Sequence, residues 1–115
     1  MDEIKEDNVE DLKKKLRNFK KEQFLFNEPH FTQQITLREG KKEDVVKHLL
    51  NPDKLAYSYQ EKRKYGDTIH CLHFEVSNTR TMRLPVIFKS DSKVFIMTYI
   101  MRYRNWQNMM KRGKR

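Results

Sequence analysis

The stretch TIHCLHFEVSNTRTMRLPVIF, residues 68–88, decides the fold class, because its residues alternate in character with a period of two. Such alternation is typical of β-strands, in which successive side chains point to opposite faces of a sheet. Residues 77–79, Ser-Asn-Thr, break the alternation with turn-forming side chains. The stretch therefore predicts two antiparallel strands joined by a tight turn.

The same stretch places the chain's single cysteine, Cys71, between His70 and His73, which raises the question of a metal site or a thiol–imidazole nucleophile. On a strand the two histidines face opposite sides and cannot bind one ion together. A structural zinc site needs about four ligands, and no second Cys/His cluster exists. Cys71 and His73 do share a face, but a buried cysteine most often packs as a small hydrophobe. We predict a strand here, with no metal and no cofactor.

Two further strands are predicted around this hairpin. Residues 55–60, LAYSYQ, alternate and are followed by a turn signal at residues 65–67. Residues 94–101, VFIMTYIM, are apolar on both faces, which indicates a central strand.

The N-terminal part of the chain has the period of helices instead. Residues 3–22 carry a narrow stripe of Val9, Leu12, Leu16 and Phe19. A second helix is predicted from the N-cap Asn27 to Gly40, although alternation leaves a strand open there, and a third over residues 41–52. The expected fold is α+β, with two or three N-terminal helices packed on one face of a four-stranded antiparallel sheet and a short basic C-terminal segment. We divide the chain into residues 1–26, 27–104 and 105–115.

Charge indicates the class of partner. The chain has 25 basic and 16 acidic residues, a net charge of +9. Residues 1–11 hold six of the acids and one lysine, so 24 basic and 10 acidic residues remain, a formal +14. A field of that sign attracts nucleic acid, and aromatic residues among the basic ones can stack on bases, although a plain solubility surface is the alternative. No apolar run approaches 18 residues, and one cysteine suits a reducing compartment, so we predict a cytoplasmic protein without a membrane span.

The N-terminal stripe needs a partner surface, because it is too short for a free-standing coiled coil. Its own domain, a partner protein and a second copy of the chain are the candidates. We predict that it docks within a homodimer.

A family resemblance follows from HFTQQITLREG, residues 30–40, the helix ending LLNP, residues 49–52, and the last strand with its Thr98-Tyr99 pair. Residues 28–104 resemble the RelE- and BrnT-like toxin domains of the barnase–EndoU–colicin–RelE ribonuclease superfold. The resemblance implies cleavage of mRNA or another cellular RNA without a metal, an antitoxin protein as partner, and the ribosome as a place where cleavage occurs in such families. It carries His30, Arg38, Thr98 and Tyr99 over as site positions.

The predicted site joins these positions to nearby basic residues. We expect His30 or Tyr99 to move protons, and Arg38 and Arg83 to hold the scissile phosphate. The residues expected to bind flanking RNA are Arg80, Thr98, Arg102, Arg104, Lys111 and Arg112. Each residue also has an ordinary alternative: a surface histidine, an arginine favoured by the helix dipole, edge-strand charges, or a core tyrosine. A binding module without catalysis, such as a nucleic-acid-binding regulator or a mobile-element protein acting on a host complex, is the second hypothesis.

Overall fold

The computed structural model describes residues 5–62, 66–89 and 93–102. Over these residues the chain forms three α-helices, α1 (Val9–Arg17), α2 (His30–Leu37) and α3 (Lys42–Leu50). It also forms seven strands: β1 (Lys5–Glu6), β2 (Phe24–Phe26), β3 (Leu55–Lys62), β4 (Thr68–Ser77), β5 (Arg80–Lys89), β6 (Lys93–Ile96) and β7 (Ile100–Arg102). Single 3-10 turns at Lys21–Gln23 and Pro52–Lys54 lead into β2 and β3.

All seven strands join one mixed sheet in the order β1-β3-β4-β5-β6-β2, and β7 pairs with β5. The hairpin of β4 and β5 is its centre, with Leu72 opposite Leu84 and His70 opposite Val86. Every pairing is antiparallel except that of β2 with β6, which is parallel. The β4–β5 hairpin and its turn are as predicted from the alternation.

The prediction of a four-stranded antiparallel sheet behind N-terminal helices is wrong. The sheet has seven strands and is mixed, and the helices alternate with strands, since β1 precedes α1 and β2 lies between α1 and α2. β1 has two residues and β2 has three, which is too short to show a period of two. These strands exist through distant pairing, Lys5 opposite Gln60 and Leu25 opposite Phe95, which local pattern does not reveal.

The main core lies between the helices and one face of the sheet. β4 and β5 supply Leu72, Phe74, Leu84 and Val86 to it, and the helices supply Leu12, Leu16, Phe31, Ile35, Val45 and Leu49. The opposite face has a smaller cluster of Ile69, Cys71 and Ile87 with Tyr59, Phe95 and Met97, which includes no helical residue among those described.

The N-terminal stripe packs into this core of its own chain. Leu12 and Leu16 are buried, and Val9 and Phe19 pack against them. The helix is shorter than the predicted residues 3–22. It begins after the N-cap Asn8, whose side chain accepts the Asp11 N–H at 3.0 Å, and ends at Arg17. The stripe is therefore not free to form the interface of the predicted homodimer. The oligomeric state itself stays a prediction.

A buried carboxylate fixes the start of the chain to the sheet. Asp7 is 5% exposed and accepts hydrogen bonds from Ser58 Oγ at 2.7 Å, Gln60 Nε2 at 2.7 Å and His70 Nδ1 at 3.0 Å. Its backbone N–H also donates to the Ser58 carbonyl at 2.9 Å.

In the described part of the chain, no helix has the length and apolar character needed to cross a membrane.

Candidate active site

Three polar side chains form one row along α2. His30 and Gln34 in α2 and Arg38 at its C-cap are spaced four residues apart, so they lie along one side of the helix. Arg38 Nη1 donates to Gln34 Oε1 at 2.7 Å, which turns the guanidinium back toward the helix N-terminus. Gln34 is one turn from His30, about 6 Å along the axis at 1.5 Å per residue. His30 and Arg38 themselves are eight residues apart, about 12 Å along the axis, and the bond to Gln34 holds the guanidinium on the side of α2 that carries the imidazole.

The buried face of α2 determines where this row lies. Phe31 and Ile35 are buried in the core, and each follows a member of the row by one residue. His30 and Arg38 are exposed and Gln34 is half-buried. The row therefore runs along the border between the packed face of α2 and its surface.

Asn27 ties the start of α2 to the end of β6. Its backbone N–H donates to the Ile96 carbonyl at 3.0 Å, and its side-chain Nδ2 donates to the Met97 carbonyl at 3.2 Å. The residue before the helix is Pro29, so Asn27 is not the N-cap that the sequence predicts. Its amide joins the two segments that carry the predicted site residues.

A β-bulge lies directly beside this junction. Val86 pairs with Ile96 and Arg83 pairs with Ile100. From Ile96 to Ile100 the chain advances four residues, whereas the partner strand β5 advances three over the same distance. One extra residue in a strand bends it and redirects its side chains. Thr98 and Tyr99 lie in the interrupted segment, where Thr98 is half-buried.

Tyr99 points into the core at the C-terminal end of α2. It is 4% exposed, and its ring meets the edge of Phe31 at a centroid distance of 6.4 Å. A side chain on Gly40 would lie 2.9 Å from the Tyr99 hydroxyl and 2.8 Å from Ile35 Cγ1. The absence of a side chain at Gly40 therefore lets Tyr99 approach, while the left-handed residue that ends the helix is Glu39, with φ of 56°.

The acidic group nearest the start of α2 is already occupied. The Glu28 carboxylate accepts the Thr32 hydroxyl at 2.6 Å, the Thr32 N–H at 2.8 Å and Lys42 Nζ at 3.1 Å. The hydrogen bonds from Thr32, supported by Lys42, lower the pKa of Glu28. Among the described residues, neither His30 nor Arg38 forms an ion pair. Both remain able to meet an anion.

Arg83 is separated from this row by the sheet. Its guanidinium Nη2 donates to the Tyr59 hydroxyl at 2.8 Å and approaches Cys71 Sγ at 3.6 Å and Glu61 at 3.8 Å. Cys71 and Tyr59 belong to the cluster on the face opposite the helices. Of the four residues predicted to be catalytic, His30, Arg38 and Tyr99 gather around α2 and Arg83 does not join them.

The Cys71–His73 pair is not arranged as an activated nucleophile. Burial raises the pKa of the Cys71 thiol despite the nearby Arg83, whereas a reactive cysteine has a lowered pKa. His73 Nδ1 donates to the Cys71 carbonyl at 2.9 Å instead of to the thiol. Burial, with the Arg83 charge, lowers the pKa of His73 to about 4.

The predicted RNA-binding residues fall into three groups. Arg80 and Arg102 are exposed and lie together at one end of the sheet, because Thr81 pairs with Arg102. Thr98 lies in the bulge beside Tyr99. The remaining predicted contacts, Arg104, Lys111 and Arg112, lie outside the described residues.

Sequence reasoning overlooked three residues that build this region. Gln34 could have been found from its spacing of four from both His30 and Arg38. Asn27 and Gly40 were identified as helix-boundary residues, but their contacts with Met97 and Tyr99 span 70 and 59 positions of the chain. Local sequence carries no signal for such contacts.

Among the described residues, no group of three or more His, Cys, Asp or Glu side chains is arranged to hold a metal ion. Comparison with protein-family models, with curated proteins and with solved structures finds no match to the chain.

Proposed function

We propose that this protein is an endoribonuclease that cleaves RNA by attack of the 2′-hydroxyl on the adjacent phosphate, without a metal ion. The observation that carries the proposal is the α2 row, in which Arg38 is bonded to Gln34 one turn from His30. RNA supplies its own nucleophile, so a proton carrier beside a cation is the minimum that the reaction requires.

In this proposal His30 removes the proton from the 2′-hydroxyl. The 2′ oxygen then bonds to phosphorus, the bond to the 5′ oxygen breaks, and solvent supplies the proton to the leaving oxygen. Arg38 donates hydrogen bonds to the non-bridging oxygens, which gain charge in the transition state. Gln34 holds the guanidinium in place and acts as a positioning residue.

Tyr99 has a supporting role in this proposal. A side chain that is 4% exposed cannot reach a bound phosphate, so proton transfer falls to His30. Tyr99 instead packs between Phe31 and Gly40, which fixes both ends of α2. Of the positions that the toxin resemblance implies, His30 and Arg38 lie on α2 and at its C-cap and Tyr99 packs against it, whereas Arg83, which was chosen for its charge, lies on the opposite face of the sheet.

The test is cleavage of a labelled RNA in EDTA by purified protein. His30→Ala and Arg38→Ala should each lower the rate at least about 100-fold, as expected for loss of a general base or a transition-state cation. Gln34→Glu should also lower it, because a carboxylate would pair with the guanidinium. Lys62→Ala removes an exposed cation from the end of β3 and is the matched control. Equal activity of His30→Ala and wild type would contradict the proposal.

The second candidate function is RNA binding without cleavage. It is favoured by the burial of Tyr99 and the separation of Arg83, which leave the α2 row with one proton carrier, His30, and one cation, Arg38. It predicts that no RNA is cut while binding weakens steeply with salt. Intact RNA together with salt-insensitive binding would contradict both candidates.

The partners expected under the ribonuclease proposal are cytoplasmic RNA, either free or on the ribosome, and an antitoxin. An acidic antitoxin segment would offset the chain's net charge of +9. Growth arrest on overproduction and co-purification of a small acidic protein would support this part of the proposal. Unimpaired growth would contradict it.

A further inference from the structure

A cleft of about 820 Å³ opens between β2 and α3. Its floor is apolar and consists of Phe24, Phe26, Val46 and Leu50. Leu50 is 38% exposed, so part of this floor is open to solvent. Lysines stand at the rim: Lys21 where the chain enters β2, and Lys42 and Lys47 on α3.

The cleft leads to the α2 row at one end. Lys42 Nζ lies 4.3 Å from the centre of the Phe26 ring and 3.1 Å from the Glu28 carboxylate, which is two residues before His30. Phe26 also packs against Phe31, at a centroid distance of 4.7 Å. One wall of the cleft is therefore continuous with the start of α2.

At the other end the cleft is lined by Lys21, the last residue of a basic segment, residues 12–21, that begins in α1. Residues 12–21 contain six basic residues and no acid. Lys13 pairs with Glu10, Arg17 pairs with Asp53, and Lys15 lies over the Phe88 ring at 4.1 Å. Within the described ranges, the other three, Lys14, Lys20 and Lys21, form no ion pair.

We infer that this cleft binds a single strand of RNA and guides it from the basic segment, residues 12–21, to the α2 row. Lysines along the path contact phosphates, and the apolar floor covers the faces of unpaired bases, which is how proteins bind single strands without reading sequence. The inference rests on the ribonuclease proposal only for the cleavage at the α2 row, where the path ends. The cleft itself can bind RNA whether or not the row cuts it.

An acidic peptide is the other occupant that lysines and an apolar floor can accept. The rim also carries Glu22 and Glu43, which would repel a peptide carboxylate as they would a phosphate, so local charge alone does not separate the two. Lys14 and Lys20 are exposed in the same basic segment as Lys21 and favour the longer polyanion, because successive phosphates can also use lysines outside the cleft.

The first measurement is fluorescence anisotropy with a labelled 12-nucleotide RNA. Reversing both rim charges, Lys21→Glu with Lys47→Glu, should weaken binding at least tenfold. A plot of the logarithm of the binding constant against the logarithm of the salt concentration has a negative slope. The magnitude of that slope should fall by about 1.4, which corresponds to the loss of two phosphate contacts. The matched control is Lys54→Glu with Lys62→Glu, which makes the same charge change at exposed positions outside the cleft. The control should stay within threefold of wild type.

The second measurement separates the cleft from the chemistry. A dinucleotide reaches the α2 row without crossing the cleft, so the rim variant should cleave it at the wild-type rate while losing activity on the 12-mer. If wild type cuts neither substrate, the ribonuclease proposal fails and the binding result still tests the cleft.

Two outcomes would overturn the inference. One is equal weakening by the rim variant and the control variant, which would mean that only the net charge matters. The other is tighter binding of a labelled peptide of alternating glutamate and valine than of the RNA, abolished in the rim variant, which would assign the cleft to a peptide.

Discussion

Replacement of Asp7 by alanine tests how the N-terminal segment is held to the sheet. The Asp7 carboxylate receives three side-chain hydrogen bonds at 2.7, 2.7 and 3.0 Å and is 5% exposed. Truncation leaves the hydroxyl of Ser58, which is fully buried, and the Gln60 amide without this acceptor. β1 and the N-cap of α1 flank Asp7, so the loss acts on both elements.

The size of the effect follows from these contacts. A hydrogen bond to a charged group contributes about 1.5–3 kcal/mol, and the three share one carboxylate and are not additive. Removing one member of a buried charged pair costs about 3–5 kcal/mol. Part of this loss is offset, because the alanine variant no longer has to bury a charged carboxylate away from water. We expect a loss of about 3 kcal/mol in the free energy of unfolding, which lowers Tm by about 12 °C for a domain of this size.

The effect depends on pH in a defined direction. Burial alone would raise the pKa of Asp7, but hydrogen bonds from Ser58, His70 and Gln60 and the charge on His70 outweigh it and lower the pKa below 3.8. A lowered folded-state pKa stabilises the fold above the unfolded-state value and loses that contribution as pH falls through the folded-state value. The difference in Tm between wild type and Asp7→Ala should therefore be constant from pH 7 to about 5 and shrink below about pH 4.

Thermal unfolding followed by circular dichroism is the assay. Asp53→Ala, which removes an exposed carboxylate that pairs with Arg17, is the matched control and should cost no more than about 1 kcal/mol. Asp7→Asn keeps one acceptor oxygen and should fall between the two. A melting temperature for Asp7→Ala within about 2 °C of the Asp53→Ala value would refute the reasoning.

Three further substitutions are expected to separate the row on α2 from the opposite face of the sheet. Gly40→Ala places a methyl group 2.9 Å from the Tyr99 hydroxyl. Chemical denaturation should show a loss of about 1–3 kcal/mol in unfolding free energy, and RNA cleavage should slow. Unchanged stability would mean that the close packing of Tyr99 on Gly40 is not needed. Arg83→Ala should leave the rate of RNA cleavage within threefold of wild type in a gel assay, because Arg83 bonds Tyr59 on the other face; a 100-fold loss would return Arg83 to the site. Between pH 7 and pH 5 the unfolded imidazole, with a pKa near 6.5, takes up a proton, whereas the buried His73, with a pKa of about 4, does not. The wild type should therefore lose unfolding free energy over this range, and His73→Gln should lose less. An equal loss in both proteins would contradict this.

How far the sequence predicts this fold depends on the length of each element. β4 and β5 have ten residues each, so their alternation identified both the strands and their faces, including the opposite orientations of His70 and His73. β2 has three residues, Phe-Leu-Phe, and its parallel pairing with β6 joins positions about 70 residues apart. No local period can reveal such a strand.

The candidate site divides in the same way. His30 and Arg38 come from the family resemblance, and their position along one helix is predictable because their spacing is local. Tyr99 was predicted to reach the substrate, yet the bulge after β6 turns it into the core. Arg83 was chosen for its charge, although alternation along β5 already placed it on the face opposite Leu84. That alternation was the available signal that Arg83 lies apart from α2.

The most direct test of the central claim is the chemistry of the RNA ends that the protein leaves in EDTA. Mass spectrometry of the products should find a 2′,3′-cyclic phosphate on one fragment and a 5′-hydroxyl on the other, because the 2′ oxygen is the proposed nucleophile. His30→Ala and Arg38→Ala should yield neither product at wild-type enzyme concentration, while Lys62→Ala should yield both. Intact RNA with wild-type protein, or fragments with 5′-phosphate and 3′-hydroxyl ends, would contradict the account.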